Sequence, residues 1–133
     1  MQKEWSNISV TNCVRCISGR TFYLKYLPFQ NGCFIALQED ADMLGSISIS
    51  ISSSNNINTA KVIPSKFDSM FVDTISQRVS SMINGICLFS FHSTKQLQLE
   101  DMKAIMDGIM NLIRDEGSSN EHKNVDREET KRL

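Results

Sequence analysis

Residues 44–54 read LGSISISISSS, and this stretch decides how the fold is interpreted. In it Ile47, Ile49 and Ile51 alternate with serines. A period of two is the side-chain period of a β-strand, so one face of this strand is isoleucine and the other is serine. We expect the isoleucine face to join a core. The serine face then meets either water or another protein.

Further strands are predicted on both sides of this stretch. They are runs rich in β-branched and aromatic residues at 8–17, 21–29, 33–38 and 59–63. The first three runs are separated by short turns. One of these turns contains Asn31-Gly32, which is the strongest hairpin signal in the chain and fits a type I′ turn. Early strands joined by tight turns predict an antiparallel meander.

The hydrophobic period changes in the second half of the chain. Apolar residues between Phe71 and Ile83 recur at the spacing of one helix face, which predicts a first helix. A sixth strand is predicted at 86–91 and a second helix at 99–114. Gly108 lies in the middle of that helix, where its missing side chain is expected to allow close packing.

This order of elements predicts the fold class. We expect an α+β domain, an antiparallel β-sheet meander of about six strands with two helices packed on one face. A single domain is expected over residues 1–115. Residues 116–133 are polar and rich in charges of both signs. They are expected to form a flexible C-terminal tail, with an extension of the second helix as the alternative.

The charge balance narrows the classes of partner. Fourteen Lys and Arg residues against fifteen Asp and Glu residues give a formal net charge of −1. No basic surplus is present to attract nucleic acid or an anionic membrane. No apolar run approaches the length of a membrane span, and the first residues contain no apolar signal segment. We expect a cytoplasmic protein that binds neither nucleic acid nor membrane.

No pattern of residues points to catalysis, a cofactor or a metal. Cys13 and Cys16 form a C-x-x-C motif, but no second Cys/His pair lies at zinc spacing. In a strand, an offset of three sends these two side chains to opposite faces. We expect no enzyme, no cofactor and no metal site. A cysteine-based activity at Cys13 or Cys16 is the one enzymatic alternative.

The other predicted strands are apolar on both faces. Within 33–37, Phe34 and Ala36 point to one face of the strand, and the three apolar residues between and beside them point to the other face. The runs at 22–29 and 86–91 are apolar on both faces in the same way. Two helices can cover one face of such a sheet, and monomers rarely expose large apolar patches. A partner sheet is therefore expected on the second face. The alternative is that these side chains are covered by edges and loops of the same chain.

Several stretches from residue 22 onward follow a recognisable order of elements. They are YLKYLPFQNGCFIAL, MLGSISISI, AKVIPSKFD, TISQRVSSMING, ICLFSFH and MDGIMNLIRDE. Their order and hydrophobic pattern resemble the small 20S proteasome assembly chaperones, in particular the proteasome assembly chaperone 4 family. The segment at 63–67 departs from the family pattern, which has a glycine-containing loop before the first helix.

The resemblance implies a non-enzymatic chaperone. Such a protein pairs sheet to sheet with a related small chaperone of the chaperone 3 type. It holds α-type proteasome subunits during assembly of the α-ring, in the cytoplasm and with the nucleus as a second compartment. The serine face would then meet the partner. The residues expected at this interface are Ser46, Ser48, Ser50, Ile35 and Phe89.

Two alternatives stay open. A chaperone 3-type relative is the near alternative within the family, and it would form the same heterodimer from the other side. A different sheet-pairing α+β module, such as a longin- or roadblock-like trafficking adaptor, is the alternative outside the family. Longin domains place a helix between their hairpins, whereas here four strands and a brief extended piece at 59–63 are predicted before any helix.

Overall fold

The structure is a computed structural model, which describes residues 9–54 and 56–132 and the side chains of residues 9–54 and 56–115. The elements in that part of the chain are β1 (Val10–Arg15), β2 (Thr21–Phe29), β3 (Gly32–Glu39), β4 (Ser46–Ser53), β5 (Asn56–Ile63), α1 (Ser69–Ile83), β6 (Ile86–His92) and α2 (Leu99–Arg132). Every predicted element is present, and the predicted α+β class is confirmed. Residues 1–8 of the predicted domain lie outside the described residues.

The six strands form one sheet in the order β1-β2-β3-β6-β4-β5. Neighbouring strands are antiparallel except β3 and β6, which are parallel. The sheet is mixed rather than a consecutive meander, because β6 lies between β3 and β4. The cause is the crossover through α1, which starts from β5 at the edge and returns the chain to the middle of the sheet.

Both helices pack on one face of the sheet, as predicted. α1 contacts β4, β5 and β6, while α2 contacts α1 and β1. α2 continues to Arg132, so the backbone of the predicted tail is helical up to that residue, which corresponds to the helix-extension alternative. The side chains of residues 116–133 lie outside the described residues.

The hydrophobic core lies between the sheet and the helices. Its fully buried side chains include Phe22, Leu24, Ile35, Leu37 and Phe89 from the sheet and Val72, Ile75, Val79, Ile105 and Ile109 from the helices. Phe89 and Phe91 stack with their ring centroids 6.2 Å apart. Burying one such side chain contributes about 1.5–3 kcal/mol relative to leaving it in water, so this layer holds the domain together.

The predicted hairpin between β2 and β3 is confirmed, but the prediction of a type I′ turn is wrong. Phe29 pairs with Gly32, so the two turn residues are Gln30 and Asn31. Neither they nor Gly32 have positive φ, as a type I′ turn would need. Gly32 serves another purpose, because a Cβ there would lie 2.1 Å from the carbonyl oxygen of Ile86. Glycine therefore allows β6 to approach the start of β3.

Gly108 allows α2 to lie close to β1, as its position in the helix predicts. A Cβ on Gly108 would lie 2.7 Å from Cγ2 of Val14. Valine is stiff at χ1, so it cannot easily move aside. The roughly 1 kcal/mol that glycine costs in a helix interior is thus offset by close packing against the sheet.

Candidate functional site

The sheet face opposite the helices carries a continuous band of apolar side chains, which we call the open face. Its residues are Leu27, Phe29, Phe34, Ile47, Ile49, Ile51, Ile86 and Leu88. The strand register places Leu27 beside Phe34, Phe34 beside Leu88, and Leu88 beside Ile49. Directly paired side chains on one face are about 4.5–5.5 Å apart at Cβ, so the band is contiguous across four strands.

Neither helix covers these side chains. Ile51 is 45% exposed and Phe29 is 50% exposed, and Phe34, Ile49 and Leu88 are half-buried by their neighbours in the sheet. Soluble monomers rarely expose contiguous apolar patches larger than a few hundred Å². What such a surface can do is associate with another apolar surface.

Polar groups lie at one margin of the open face. Lys25 and Gln38 are on this side of β2 and β3, and both donate to Oδ1 of Asp42, at 2.7 and 2.6 Å. The hydrogen bond from Lys25 is the main reason that the pKa of Asp42 is lowered. An apolar centre with a polar margin is the usual anatomy of a protein–protein interface.

The prediction that the serine face meets a partner is wrong, because α1 covers it. Ser48 and Ser50 are buried. The Ser48 hydroxyl donates to Oδ1 of Asp73 at 3.0 Å, and the hydroxyls of Ser50 and Ser76 are 2.8 Å apart. Small serine side chains let the helix approach the strand, and each buried hydroxyl has a hydrogen-bond partner. The isoleucine face is the one left uncovered.

The other three residues predicted for the interface also lie on the helix side. Ile35 and Phe89 belong to the core and are almost fully buried. Ser46 is half-buried, and its hydroxyl donates to the carbonyl oxygen of Phe91 at 3.2 Å. The sheet is apolar on both faces, as predicted. The face predicted to meet a partner is the one that the helices cover, and the face that they leave uncovered is the isoleucine face.

A buried charge cluster lies at the end of the sheet where β1 and β3 finish. Arg20 donates through Nε and Nη2 to the two carboxylate oxygens of Glu39, at 2.8 and 2.6 Å. Its Nη1 lies 3.5 Å from Oδ2 of Asp101, and its remaining donors reach the carbonyl oxygens of Lys95 and Gln96. The sequence pattern gives no sign of this cluster, because Glu39 and Asp101 are 19 and 81 residues away from Arg20.

The cluster stabilises its charged forms. The bond from Arg20 lowers the pKa of Glu39 from 4.5 to about 2. Burial raises the pKa of Asp101, but hydrogen bonds from Ser18 and the Gln98 amide, with the charge of Arg20, outweigh it and the net pKa is lowered. All buried polar side-chain atoms among the described residues have a partner. The cluster is therefore a structural junction, by which we mean a group of buried charges that joins distant parts of the chain and whose polar atoms all have partners.

The lowered pKa of Glu39 predicts a loss of stability in acid. Between about pH 4.5 and 2 the unfolded chain binds a proton at this carboxyl that the folded chain does not, so the free energy of unfolding falls as the pH falls. A shift of this size is worth about 3 kcal/mol. Urea unfolding measured at several pH values should show this fall, and Arg20→Ala should show a much smaller one. Equal falls in both proteins would contradict the assignment.

The surroundings of Cys16 and Cys87 disfavour a reactive thiolate. Cys13 is exposed on β1, while Cys16 is buried, consistent with the opposite faces expected for the motif. Burial and the neighbouring Asp101 raise the pKa of Cys16 to about 11, which disfavours the nucleophilic thiolate at neutral pH. A hydrogen bond with Cys33, and burial, raise the pKa of Cys87 as well.

Metal and membrane sites are not seen in the described residues. No group of three His, Cys, Asp or Glu side chains among them is placed to hold a metal ion. No helix in this part of the chain has both the length and the apolar character to cross a membrane. A groove of about 350 Å³ near the turn between β2 and β3 is lined by Tyr26, Phe29, Met82, Arg114 and others.

Comparison with known proteins gives a likeness of fold to a solved structure. No family model matches the sequence, and no curated protein matches it. A solved chain matches at 12% sequence identity with a TM-score of 0.50, covering 86% of this chain and 97% of its own length. It belongs to a chaperone complex for assembly of the yeast 20S proteasome. At this level of identity the likeness shows that the two chains share a fold.

Proposed function

We propose that this protein is a non-enzymatic 20S proteasome assembly chaperone. It pairs through its open face with a related small chaperone of the chaperone 3 type. The pair then holds α-type proteasome subunits during assembly of the α-ring, in the cytoplasm and also in the nucleus. The observation that carries the proposal is the uncovered apolar band across four strands. The fold shared with a chain of a yeast proteasome assembly chaperone complex supports it.

A second sheet is the partner surface that fits the open face. The band is built on regular strands, with half-buried Phe34, Leu88 and Ile49 at its centre. Two sheets pack face to face at about 10 Å with their inner side chains interdigitated, which buries such a band on both sides. The helices of each chain would then lie outside. The proposed pair is thus a four-layer assembly with a new apolar core in the middle.

The function is tested in cells from which the chain has been depleted. We expect free α-type subunits and incomplete α-rings to accumulate on native gels, and wild-type protein to restore complete 20S particles. The Ile51→Asp variant, which places a charge on the open face, should fail to restore them. Unchanged 20S assembly after depletion, with a defect in membrane traffic instead, would favour a longin- or roadblock-like adaptor.

A further inference from the structure

The groove of about 350 Å³ beside the turn between β2 and β3 also involves both helices, through the end of α1 and the middle of α2. Its apolar lining consists of Tyr26, Pro28, Phe29, Met82, Ile83 and Ile113. Tyr26 and Ile113 are buried, whereas Phe29 and Met82 are 50% and 41% exposed. A segment that covered the groove would therefore remove apolar area from water, which is favourable.

Strand β2 has an unpaired edge next to this groove. β1 begins at Val10, which pairs with Tyr26, and β2 continues for three further residues to Phe29. On the side of β1, these three residues have no strand partner among those that the structure describes. An unpaired strand edge is a template for pairing with another stretch of chain. The stretch that leads into Val10 is the nearest one, because it joins the sheet at this edge.

The pairing register indicates which side chain of that stretch would face the groove. Val10 packs against the core and pairs with Tyr26, so both point to the helix side of the sheet. Residues two apart on a strand share a face, and so do directly paired residues. Continuing the same pairing by two residues puts Ile8 opposite Pro28, on the side of the groove. Trp5 is three residues further along, within about 10 Å of Ile8.

The chemistry at the margin of the groove suits an indole ring. Arg114 lines the groove and is exposed, and within the described residues no hydrogen bond or ion pair engages its guanidinium. Tryptophan is the aromatic residue over which a guanidinium binds best. The thioether of Met82, on the groove wall, also makes favourable contacts with aromatic rings. Trp5 is the single tryptophan of the chain, so it is the indole within reach.

We propose that residues 1–8 bind along this groove as a strap, with Ile8 against Pro28 and the indole of Trp5 between Met82 and Arg114. The strap fastens the edge strand β1 and the hairpin of β2 and β3 to both helices. The groove is then covered by a segment of the same chain. This inference is independent of the proposed function, because the strap lies on the helix side, away from the face proposed to pair.

The fluorescence of the purified full chain tests the strap, because Trp5 is its one tryptophan. Close-packed surroundings exclude small solutes, so we expect acrylamide to quench Trp5 at least threefold less in the folded protein than in urea. Met82→Lys places a charge in the groove and should raise the quenching constant at least twofold over the wild type. Lysine is favourable in the last turn of a helix, so α1 is preserved, which circular dichroism checks.

Ile8→Asp is a second variant that leaves every helix and strand of the structure unchanged in sequence. It replaces the apolar side chain expected opposite Pro28 with a charged one. We expect it to raise the quenching constant of Trp5 as Met82→Lys does. It also keeps the test decisive if the substitution in α1 disturbs folding.

The matched control is Met70→Lys, the same change in the first turn of the same helix. Met70 is 84% exposed and lies outside the groove, so the quenching of Trp5 should stay at the wild-type value. Wild-type quenching as strong as in urea would overturn the inference. It would be overturned equally if Trp5 were shielded in the wild type and stayed so in Met82→Lys and Ile8→Asp. Exposure of Trp5 by Ile51→Asp alone would place the segment on the open face instead.

Discussion

We expect Ile51→Asp to dissociate the protein from the partner chaperone proposed above, and Ile57→Asp to leave the proposed pair intact. Both isoleucines lie in the β4–β5 hairpin, and they are 45% and 44% exposed. Ile51 faces the open side of the sheet, while Ile57 pairs with Ser52 and faces the helix side. The two variants therefore change the same chemistry at the same exposure on opposite faces.

The expected effect on binding is large. An aspartate at position 51 would be taken out of water between two apolar sheets without a partner charge, which costs several kcal/mol. We expect the Kd of the pair to rise at least 100-fold, or about 2.7 kcal/mol. Analytical ultracentrifugation of the purified pair gives the Kd, and circular dichroism confirms that both variants are folded. Equal dissociation by both variants, or by neither, would contradict a pairing surface on the open face.

Arg20→Ala is expected to have the largest effect on stability of the substitutions considered. The side chain is 9% exposed, and its removal leaves Glu39 and Asp101 buried without their shared cation. Breaking a buried ion pair by removing one partner costs about 3–5 kcal/mol. Arg20 also stacks over Phe22, with its guanidinium carbon 5.2 Å from the ring centroid, so packing is lost as well.

Lys25→Ala is the matched control for Arg20→Ala. Its ion pair with Asp42 is as short, at 2.7 Å, but both side chains are largely exposed. Exposed ion pairs contribute roughly 0–1 kcal/mol to stability. The free energy of unfolding of this variant should therefore be close to that of the wild type. Urea unfolding at neutral pH gives both free energies. A loss under 1 kcal/mol for Arg20→Ala would show that the cluster is not a structural junction.

Elements were predictable from the sequence because their hydrophobic periods are strong. The strand over Thr21–Phe29 has the predicted bounds, and α1 ends at Ile83 as the helical pattern does. The order of the strands in the sheet was harder to predict from the sequence. Nothing local to residues 86–91 indicates that this strand enters between β3 and β4, since that position depends on the direction in which α1 crosses the sheet.

The error over the serine face has a physical cause. The apolar face of a strand is usually expected to point into the core, which here would be the isoleucine face. This expectation holds only when the element that covers the strand is itself apolar on the side that meets it. Here α1 is polar on the face that meets β4, with Asp73, Ser76 and Ser80 beside its buried valines. That signal is present in the sequence, because Ser76 and Ser80 recur at the spacing of one helix face. Matching a serine strand to a serine-bearing helix would have found the correct face.

The buried cluster could not be found from pattern alone. Arg20, Glu39 and Asp101 are ordinary charged residues in sequence, and only tertiary contacts bring them together. The hydrogen bond from Ser18 to Asp101 likewise joins residues 83 positions apart. Polar contacts over such separations leave no local signal in the sequence.

Native mass spectrometry of the complex purified from the protein's own cells tests the central claim most directly. The account predicts one copy of this chain with one copy of a related small α+β chaperone, and a further species that adds an α-type proteasome subunit. The Ile51→Asp variant should appear without the partner chaperone. A wild-type protein that is monomeric, or that carries small GTPases or coat proteins in place of these partners, would contradict the account.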